Sequence, residues 1–405
     1  HFNLFFTLRV EFIMVALDMI VSLILFVLVL RSDSPLARYF VIGSGAVIIV
    51  GFSLAICGYF FNWRYVYQGF LTTIVIEIVC FSLGLGDRFR QSERQKVAAE
   101  REQRRTQEAL NEKLAKLNTA YERFVPHEFL RSIGHNSILD VKLGDGVERE
   151  VTVFFSDIRS YTRIAEQMSP QENFQFLNAY LGRVGPIIQT HRGFVNQYYG
   201  DGIMALFLKS PEDALQAAIG IHRVLGYYNA EREAKGRQPI EIGIGIHRGP
   251  LMMGIIGDAL RMDSGVVSDT VNTAARMEGL TKFFACRTLV SEATLKTLAQ
   301  ARSFGQRYLG KVQVKGRQEV LGIYDLFDSD PEEVRKQKLA IKADFEEGLA
   351  FYFDRNFAKA AHCFDRVLEI YPDDVPAQRY HAYTLKNLVE GVPPGWTGVE
   401  MMMHK

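Results

Sequence analysis

Val151-Thr-Val-Phe-Phe-Ser-Asp157 reads as a buried strand that ends in a carboxylate. β-Branched and aromatic side chains fill an enclosed pleated surface well, and here no charge interrupts them before Asp157. Downstream, Ser169-Pro-Gln-Glu172 combines a capping serine, a proline at the first helical position and a glutamate three residues on, which together open a helix. Phe194–Tyr199 and Gly202–Leu208 flank Gly200-Asp201, the signal of a tight hairpin. Ser210-Pro-Glu-Asp starts the next helix; Ile240–His247 is a further strand, followed by Gly249–Gly257. The order β-α-ββ-α-β predicts an α+β, ferredoxin-like fold with its helices on one face of the sheet.

Asp157 would close one strand and Asp201 would tip the hairpin. If the hairpin lies beside that strand, the two carboxylates meet at one edge of the sheet. Paired hard-oxygen ligands suit Mg²⁺ or Mn²⁺, and two such ions clamp the attacking and leaving oxygens of a phosphoryl displacement. Ile158-Arg-Ser-Tyr-Thr162 turns out of the strand, so its backbone N–H groups are offered to phosphates. Taken alone, an aspartate at a strand end is more often a turn former than a ligand.

Three segments together carry a resemblance. Phe154-Phe-Ser-Asp-Ile-Arg-Ser-Tyr-Thr162, Tyr199-Gly-Asp-Gly-Ile-Met-Ala-Leu-Phe207 and Ser268-Asp-Thr-Val-Asn-Thr-Ala-Ala-Arg-Met-Glu278 resemble, in order, the signatures of the class III adenylate and guanylate cyclases. Arg123-Phe-Val-Pro-His-Glu-Phe-Leu130 looks like the segment that precedes bacterial cyclase domains. The resemblance implies that Asp157 and Asp201 hold two metal ions, with the Ile158 carbonyl as a further ligand. It implies that Asn272 orients the ribose and that Arg276, one turn later, stabilises charge on the α-phosphate. Lys315, in Val314-Lys-Gly-Arg317, matches a lysine that contacts the terminal phosphates, and Thr162 belongs to the phosphate turn. It further implies a site built between two domains; with one such domain per chain, that means a homodimer. Outside this context Arg276 and Asn272 would be ordinary surface residues of a solvated helix. A degenerate nucleotide-sensing domain and a non-enzymatic receptor scaffold are the competing readings. A diguanylate cyclase is disfavoured, because its Gly-Gly-Asp/Glu-Glu-Phe hairpin is missing.

The sequence departs from the family where the base is read. Adenylate cyclases carry a lysine four residues before the second metal aspartate, and here Gln197 stands there. Their second reader lies seven residues before the ribose asparagine, and here that position is Gly265. Glutamine both donates and accepts, so Gln197 alone suits either purine. ATP is the expected substrate, with GTP as the alternative.

On the N-terminal side lie three apolar runs, Val10–Leu30, Tyr39–Phe61 and Tyr65–Gly86, each with about the 20 residues that span a bilayer as a helix. Arg31 and Arg38 fall between the first two, and Arg88, Arg90, Arg94 and Lys96 follow the third. The positive-inside rule places these segments in the cytoplasm, which predicts a protein of the bacterial inner membrane with a cytoplasmic catalytic domain. Gly69-Phe-Leu-Thr-Thr73 running into Glu77–Gly86 looks like the last helix of seven-transmembrane signalling receptors. The chain opens on His1, close to an apolar run, which suggests a missing N-terminal part. Residues 87–125 lack proline and glycine and read as a helical stalk; Leu110, Leu114, Leu117, Tyr121 and Phe124 follow the 4-3 spacing of a coiled coil.

After the catalytic region, Gly348, Tyr352, Phe357, Ala360, Phe364 and Pro372 fit one tetratricopeptide-like helix pair, which has room for a protein partner or serves as a structural cap. Pro393-Pro-Gly-Trp-Thr-Gly-Val399 resembles a tail found after such repeats in bacterial cyclases. The expected organisation is thus a membrane region over 1–86, a stalk over 87–125, a cyclase domain over 126–328 and a helical segment over 329–405. The net charge of +1 implies no nucleic-acid partner. The four cysteines, Cys57, Cys80, Cys286 and Cys363, show no metal-ligand spacing and imply buried thiols, not a disulfide framework.

Overall fold

The computed structural model describes residues 63–122, 125–258, 260–299, 303–313 and 320–401, with scattered positions between 13 and 56. It divides into two compact units, residues 1–119 and 120–405. In the first, the apolar run 65–86 and the charged stretch after it form one uninterrupted helix, α1 (Trp63–Glu122). Nothing between them breaks a helix: no proline occurs, and the run to Glu122 is rich in Glu, Arg, Gln and Lys. The first two apolar runs fall largely outside the described residues. Among the described residues no helix is long and apolar enough to cross a membrane, so the expected three spans find no support there.

The second unit begins with α2 (His127–Ser132) and the long strand β1 (Gly146–Ile158). The chain then runs through α3 (Tyr161–Ala165), α4 (Pro170–Thr190), β2 (Phe194–Tyr199), β3 (Gly202–Phe207) and α5 (Pro211–Glu233). Next come β4 (Ile242–Gly257), β5 (Met262–Val267), α6 (Asp269–Phe283), β6 (Thr288–Ser291) and α7 (Glu292–Lys296). The remainder is β7 (Gln306–Gln313), β8 (Val320–Leu326), α8 (Glu332–Phe353), α9 (Phe357–Ile370), α10 (Val375–Glu390) and the short β9 (Glu400–Met401). The expected capping box is present at the start of α4, where Ser169 and Glu172 satisfy each other's backbone N–H groups.

The sheet runs β2-β3-β1-β4-β6-β8-β7-β9, with β5 paired to β4. Its first four strands are antiparallel neighbours in the ferredoxin-like order. The helices, however, cover both faces, not one. Phe154, Ile203, Ala205 and Phe207 pack with Tyr180 and Val184 of α4 and with Ala217 and Ile221 of α5. Val153, Met204 and Leu206 point the other way, onto Ala274 of α6 and Phe129 of α2. The reason lies in the strands themselves: β3 is buried along its whole length, and a sheet covered on both sides reads as a continuous apolar run. Helix α6 lies very close to β4. A Cβ at Gly245 would stand 2.2 Å from the Glu278 backbone nitrogen, so only glycine permits this contact.

Helices α8–α10 share a core with the sheet. Leu289, Leu309, Val312 and Ile323 from the strands meet Ile341, Phe345, Phe364 and Tyr380 from the helices. A buried charge network crosses the same boundary. Arg307 of β7 donates two hydrogen bonds to Asp374, at 2.9 and 2.7 Å, and lies 3.5 Å from Asp325. Lys338 of α8 reaches Asp325 at 2.8 Å and Asp330 at 2.6 Å. The tail returns as β9 to pair in parallel with Val312 and Gln313, and Trp396 packs against Tyr352 and Phe357.

Candidate active site

Asp157 is the penultimate residue of β1, and Asp201 sits with Gly200 in the turn between β2 and β3. Because β3 pairs with β1, with Ser156 opposite Ile203, the turn delivers Asp201 to the end of β1. Gly200 takes φ +67°, a left-handed conformation that glycine adopts without strain. The Ile158 N–H donates to Asp201 Oδ2 at 3.1 Å, and the Asp157 carboxyl is near enough to act on that of Asp201. Burial, and after it the neighbouring Asp157 carboxyl, push the Asp201 carboxyl up to about 7, against a smaller opposing pull from backbone N–H donors.

Three neighbours escaped the sequence reading. Glu278 of α6 is buried, and burial followed by the charge of Asp157 pushes its carboxyl up to about 7, with Lys282 and Arg159 pulling the other way. Lys282 Nζ lies 3.8 Å from Asp157 Oδ2. Arg159 donates to the Cys286 carbonyl at 2.6 Å and the Thr281 carbonyl at 3.4 Å, tying the end of β1 to the end of α6. The available signals were the position of Glu278 at the close of its motif and the i, i+4 spacing of Glu278 and Lys282; neither says which strand end the helix approaches.

Two neighbouring carboxylates repel once both are ionised, and a divalent cation between them relieves that repulsion. The donors present are hard oxygens, which fits Mg²⁺ or Mn²⁺. Among the described residues no group of three or more His, Cys, Asp or Glu gathers as metal ligands. The protein therefore offers Asp157, Asp201 and backbone oxygens such as that of Ile158, leaving other positions to phosphate or water, as Mg²⁺ prefers.

Asn272 and Arg276 lie elsewhere. Both are exposed on α6, whereas Thr273, Ala274, Met277 and Glu278 face inward. Asp157 pairs with Gly243 of β4, and Glu278 and Thr281, near the end of α6, lie over Gly243. Asn272 is six residues earlier than Glu278, about 9 Å along the helix axis, and on a different face. Asn272 and Arg276 thus lie on faces of α6 other than the one that carries Glu278. Thr162 is exposed in the first turn of α3. Gln197 is exposed on β2, where a register shift follows Val195; Gly265 pairs with Gly254 of β4, and Ile256 lies over it. Lys315 lies outside the described residues, as does Phe124 of the stalk seam.

Residues 146–326 match the adenylate and guanylate cyclase catalytic domain. An adenylate cyclase of Anabaena cylindrica is 42% identical over 220 residues, which cover 53% of this chain and 44% of the relative. The terminal-differentiation-specific adenylate cyclase of Dictyostelium discoideum is 32% identical over 278 residues, covering 67% of this chain and 13% of the relative. The chain thus spans less than half the length of either. Among solved structures, a bacterial light-regulated adenylyl cyclase is similar at 25% identity and a TM-score of 0.48, over 55% of this chain and 64% of that one.

Proposed function

We propose that the chain converts ATP to 3′,5′-cyclic AMP and pyrophosphate at two equivalent sites shared by a homodimer. The supporting observation is the separation within one chain: Asp157 and Asp201 lie at the end of β1, while Asn272 and Arg276 are exposed on another face of α6. A second copy brings the second pair to the first. Asp157, Asp201 and the Ile158 carbonyl would hold two Mg²⁺ or Mn²⁺ ions, which supply an activated ribose 3′-oxygen and charge neutralisation on the triphosphate. Asn272 of one protomer orients the ribose over its partner's carboxylates. Arg276 meets the negative charge that grows on the α-phosphate as the new bond forms. The turn 158–162, including Thr162, holds phosphate oxygens by backbone N–H groups, and Lys315 contacts the terminal phosphates. Gln197 faces the purine.

The exposed stripe of Leu110, Leu114, Leu117 and Tyr121 on α1 suits the seam of a parallel dimer. In this reading the apolar N-terminal runs anchor the chain in the bacterial inner membrane, and α1 relays their state to cytoplasmic cyclase domains. Residues 329–405, whose first helix pair is tetratricopeptide-like, brace the catalytic unit, with their outer surface left for a protein partner.

Mixing separates a shared site from a site built within one chain. Asp157→Ala and Arg276→Ala homodimers should each be inactive. A heterodimer of the two should regain close to half of wild-type activity, because one of its sites is intact. No recovery in purified heterodimers overturns the shared-site reading.

A further inference from the structure

We propose that Lys282 is an internal competitor of the metal: its ammonium group holds Asp157 and so sets how tightly the end of β1 takes up a divalent cation. The inference rests on the reading that Asp157 and Asp201 bind that cation.

The end of α6 fixes where the ammonium sits. The Thr281 and Cys286 carbonyls accept from Arg159 at 3.4 and 2.6 Å, which ties this helix end to the residue two beyond Asp157. From the other side the guanidinium of Arg379, on α10, lies 3.9 Å from the centre of the Phe283 ring. Leu280 and Phe284 are buried in the core shared with α8–α10. Lys282 stands between these anchors, yet its own side chain is 52% exposed and free to turn. Its Nζ lies 3.8 Å from Asp157 Oδ2.

At that distance charge, and not a directional hydrogen bond, holds the pair, so the ammonium gives way without breaking a bond of fixed geometry. A second anion is at hand. Glu278 precedes Lys282 by one turn, at the i, i+4 spacing that brings two side chains together. Its side chain is buried, its Oε1 has no hydrogen-bond partner, and the charge of Lys282 acts on it. The ammonium therefore has a carboxylate to turn to when it leaves Asp157. Arg159 has less freedom, because the two backbone carbonyls hold its guanidinium.

A divalent cation at Asp157 must displace this ammonium and then tolerate a like charge beside it. Both effects have one sign: each weakens metal binding relative to the same two aspartates without Lys282. The cation still wins when it is abundant, because it carries twice the charge and coordinates oxygen directly. Half-loading of the edge thus needs more metal than the aspartate pair alone would require.

The test uses the full chain as wild type, Lys282→Met, Lys282→Arg, Lys336→Met and Asp157→Ala. Lys336→Met removes the same charge from another exposed pair, with Glu332 at 2.9 Å. The quantity read is the Mn²⁺ dissociation constant without nucleotide, from titration calorimetry or the spin-resonance signal of free Mn²⁺, at about pH 8, where protons compete little. Lys282→Met should bind Mn²⁺ roughly three- to tenfold more tightly, the scale of removing one partly screened charge beside a divalent ion. Lys282→Arg keeps the charge and should show no such gain, nor should Lys336→Met. Added salt should narrow the gap between wild type and Lys282→Met. Unchanged or weaker Mn²⁺ binding by Lys282→Met, or an equal gain in Lys336→Met, overturns the assignment. Unchanged Mn²⁺ binding with a raised nucleotide KM would make Lys282 a substrate contact, and also overturns it. Asp157→Ala separates the two readings. If it abolishes Mn²⁺ binding and only the Lys282 variants fail, the metal assignment stands without Lys282; if it leaves binding intact, both fall.

Discussion

Two clusters of aspartates in this unit are built from the same chemistry with opposite bookkeeping. At the end of β1, Asp157 and Asp201 lie close enough to act on each other, Glu278 feels the charge of Asp157, and Lys282 stands 3.8 Å from Asp157. Farther along the sheet, around β7 and β8, Asp325, Asp330 and Asp374 are matched by Arg307, Lys338 and Arg287. There burial pulls the Lys338 ammonium down, but the carboxylates around it outweigh that pull and the net direction is upward. The first cluster is left with surplus negative charge that an outside cation can relieve; the second balances its charges from within, with Arg307 Nε and Asp325 Oδ1 left without hydrogen-bond partners, and ties α8 and α10 to β7 and β8. Surplus charge at an open edge marks chemistry, whereas balanced charge in a core marks architecture.

The sharpest way to break the comparison is to neutralise one member of each cluster. Asp157→Ala or Asp201→Ala should lower kcat by about 10³-fold or more, the scale of losing a main source of transition-state charge stabilisation. Thermal stability without metal should hold or rise, because a like-charge contact is removed. Arg307→Met should do the reverse. It leaves Asp374 buried without its ion-pair partner and Asp325 with Lys338 alone, and should cost about 3–5 kcal/mol of unfolding free energy, while molecules that remain folded keep their kcat. Adding Asp374→Leu should restore part of that loss. Chemical denaturation and single-turnover assays on the same preparations read both columns. An Asp201→Ala protein that unfolds early, or an Arg307→Met protein that is stable and dead, would merge the two clusters into one kind.

Protons sharpen it next. Asp201 is held up to about 7 in the folded protein against an unfolded value of 3.8, so between these values the native state binds a proton that the unfolded state lacks. The metal-free protein should lose stability as pH rises from about 4 through about 7, and Glu278, also about 7, adds the same sign. A cation at the two aspartates competes with that proton. Apparent Mn²⁺ affinity should therefore weaken by up to about tenfold per pH unit below 7, with proton release on binding, as titration calorimetry in buffers of different ionisation enthalpy would record. Affinity independent of pH between 5.5 and 7.5 would mean that Asp201 is not a ligand.

The sequence made one cluster legible and hid the other. Asp157 closes a β-rich run and Asp201 occupies a Gly-Asp hairpin, so local patterns alone bring them together once β3 pairs with β1. Arg307 and Asp374 are 67 residues apart in elements with no shared motif, and only packing shows that they meet. The helix faces were misread for a similar reason: Val151-Thr-Val-Phe-Phe155 is apolar on both sides, which already announced a doubly covered sheet. The hydrogen bond from the Tyr199 hydroxyl to Gln197 Oε1 was illegible because the shared face of the two residues follows a bulge in β2. Even the split between the carboxylates and Asn272 and Arg276 came from family likeness; in the structure it follows from where α6 crosses β4.

The smallest effect separates the two regions by backbone strain. Each contains a non-glycine residue in the left-handed region: Ser160, at φ 56°, just after the metal edge, and Arg355, at φ 61°, between α8 and α9. A side chain in that conformation costs roughly 1 kcal/mol, which glycine avoids at the expense of a more flexible unfolded chain. Ser160 makes no capping hydrogen bond from its side chain to α3, so little offsets its strain. Arg355 differs: its guanidinium donates to the Trp396 carbonyl at 2.8 Å and lies 6.0 Å from the centre of the Trp396 ring, holding the returning tail. Ser160→Gly should therefore stabilise the protein by about 0.5 kcal/mol, and Arg355→Gly should gain nothing, the lost contacts offsetting the relieved backbone. Denaturant midpoints resolve a difference of this size when the slope is unchanged. Stabilisation by Arg355→Gly as large as that by Ser160→Gly would mean that the Arg355–Trp396 contact contributes nothing to holding the tail.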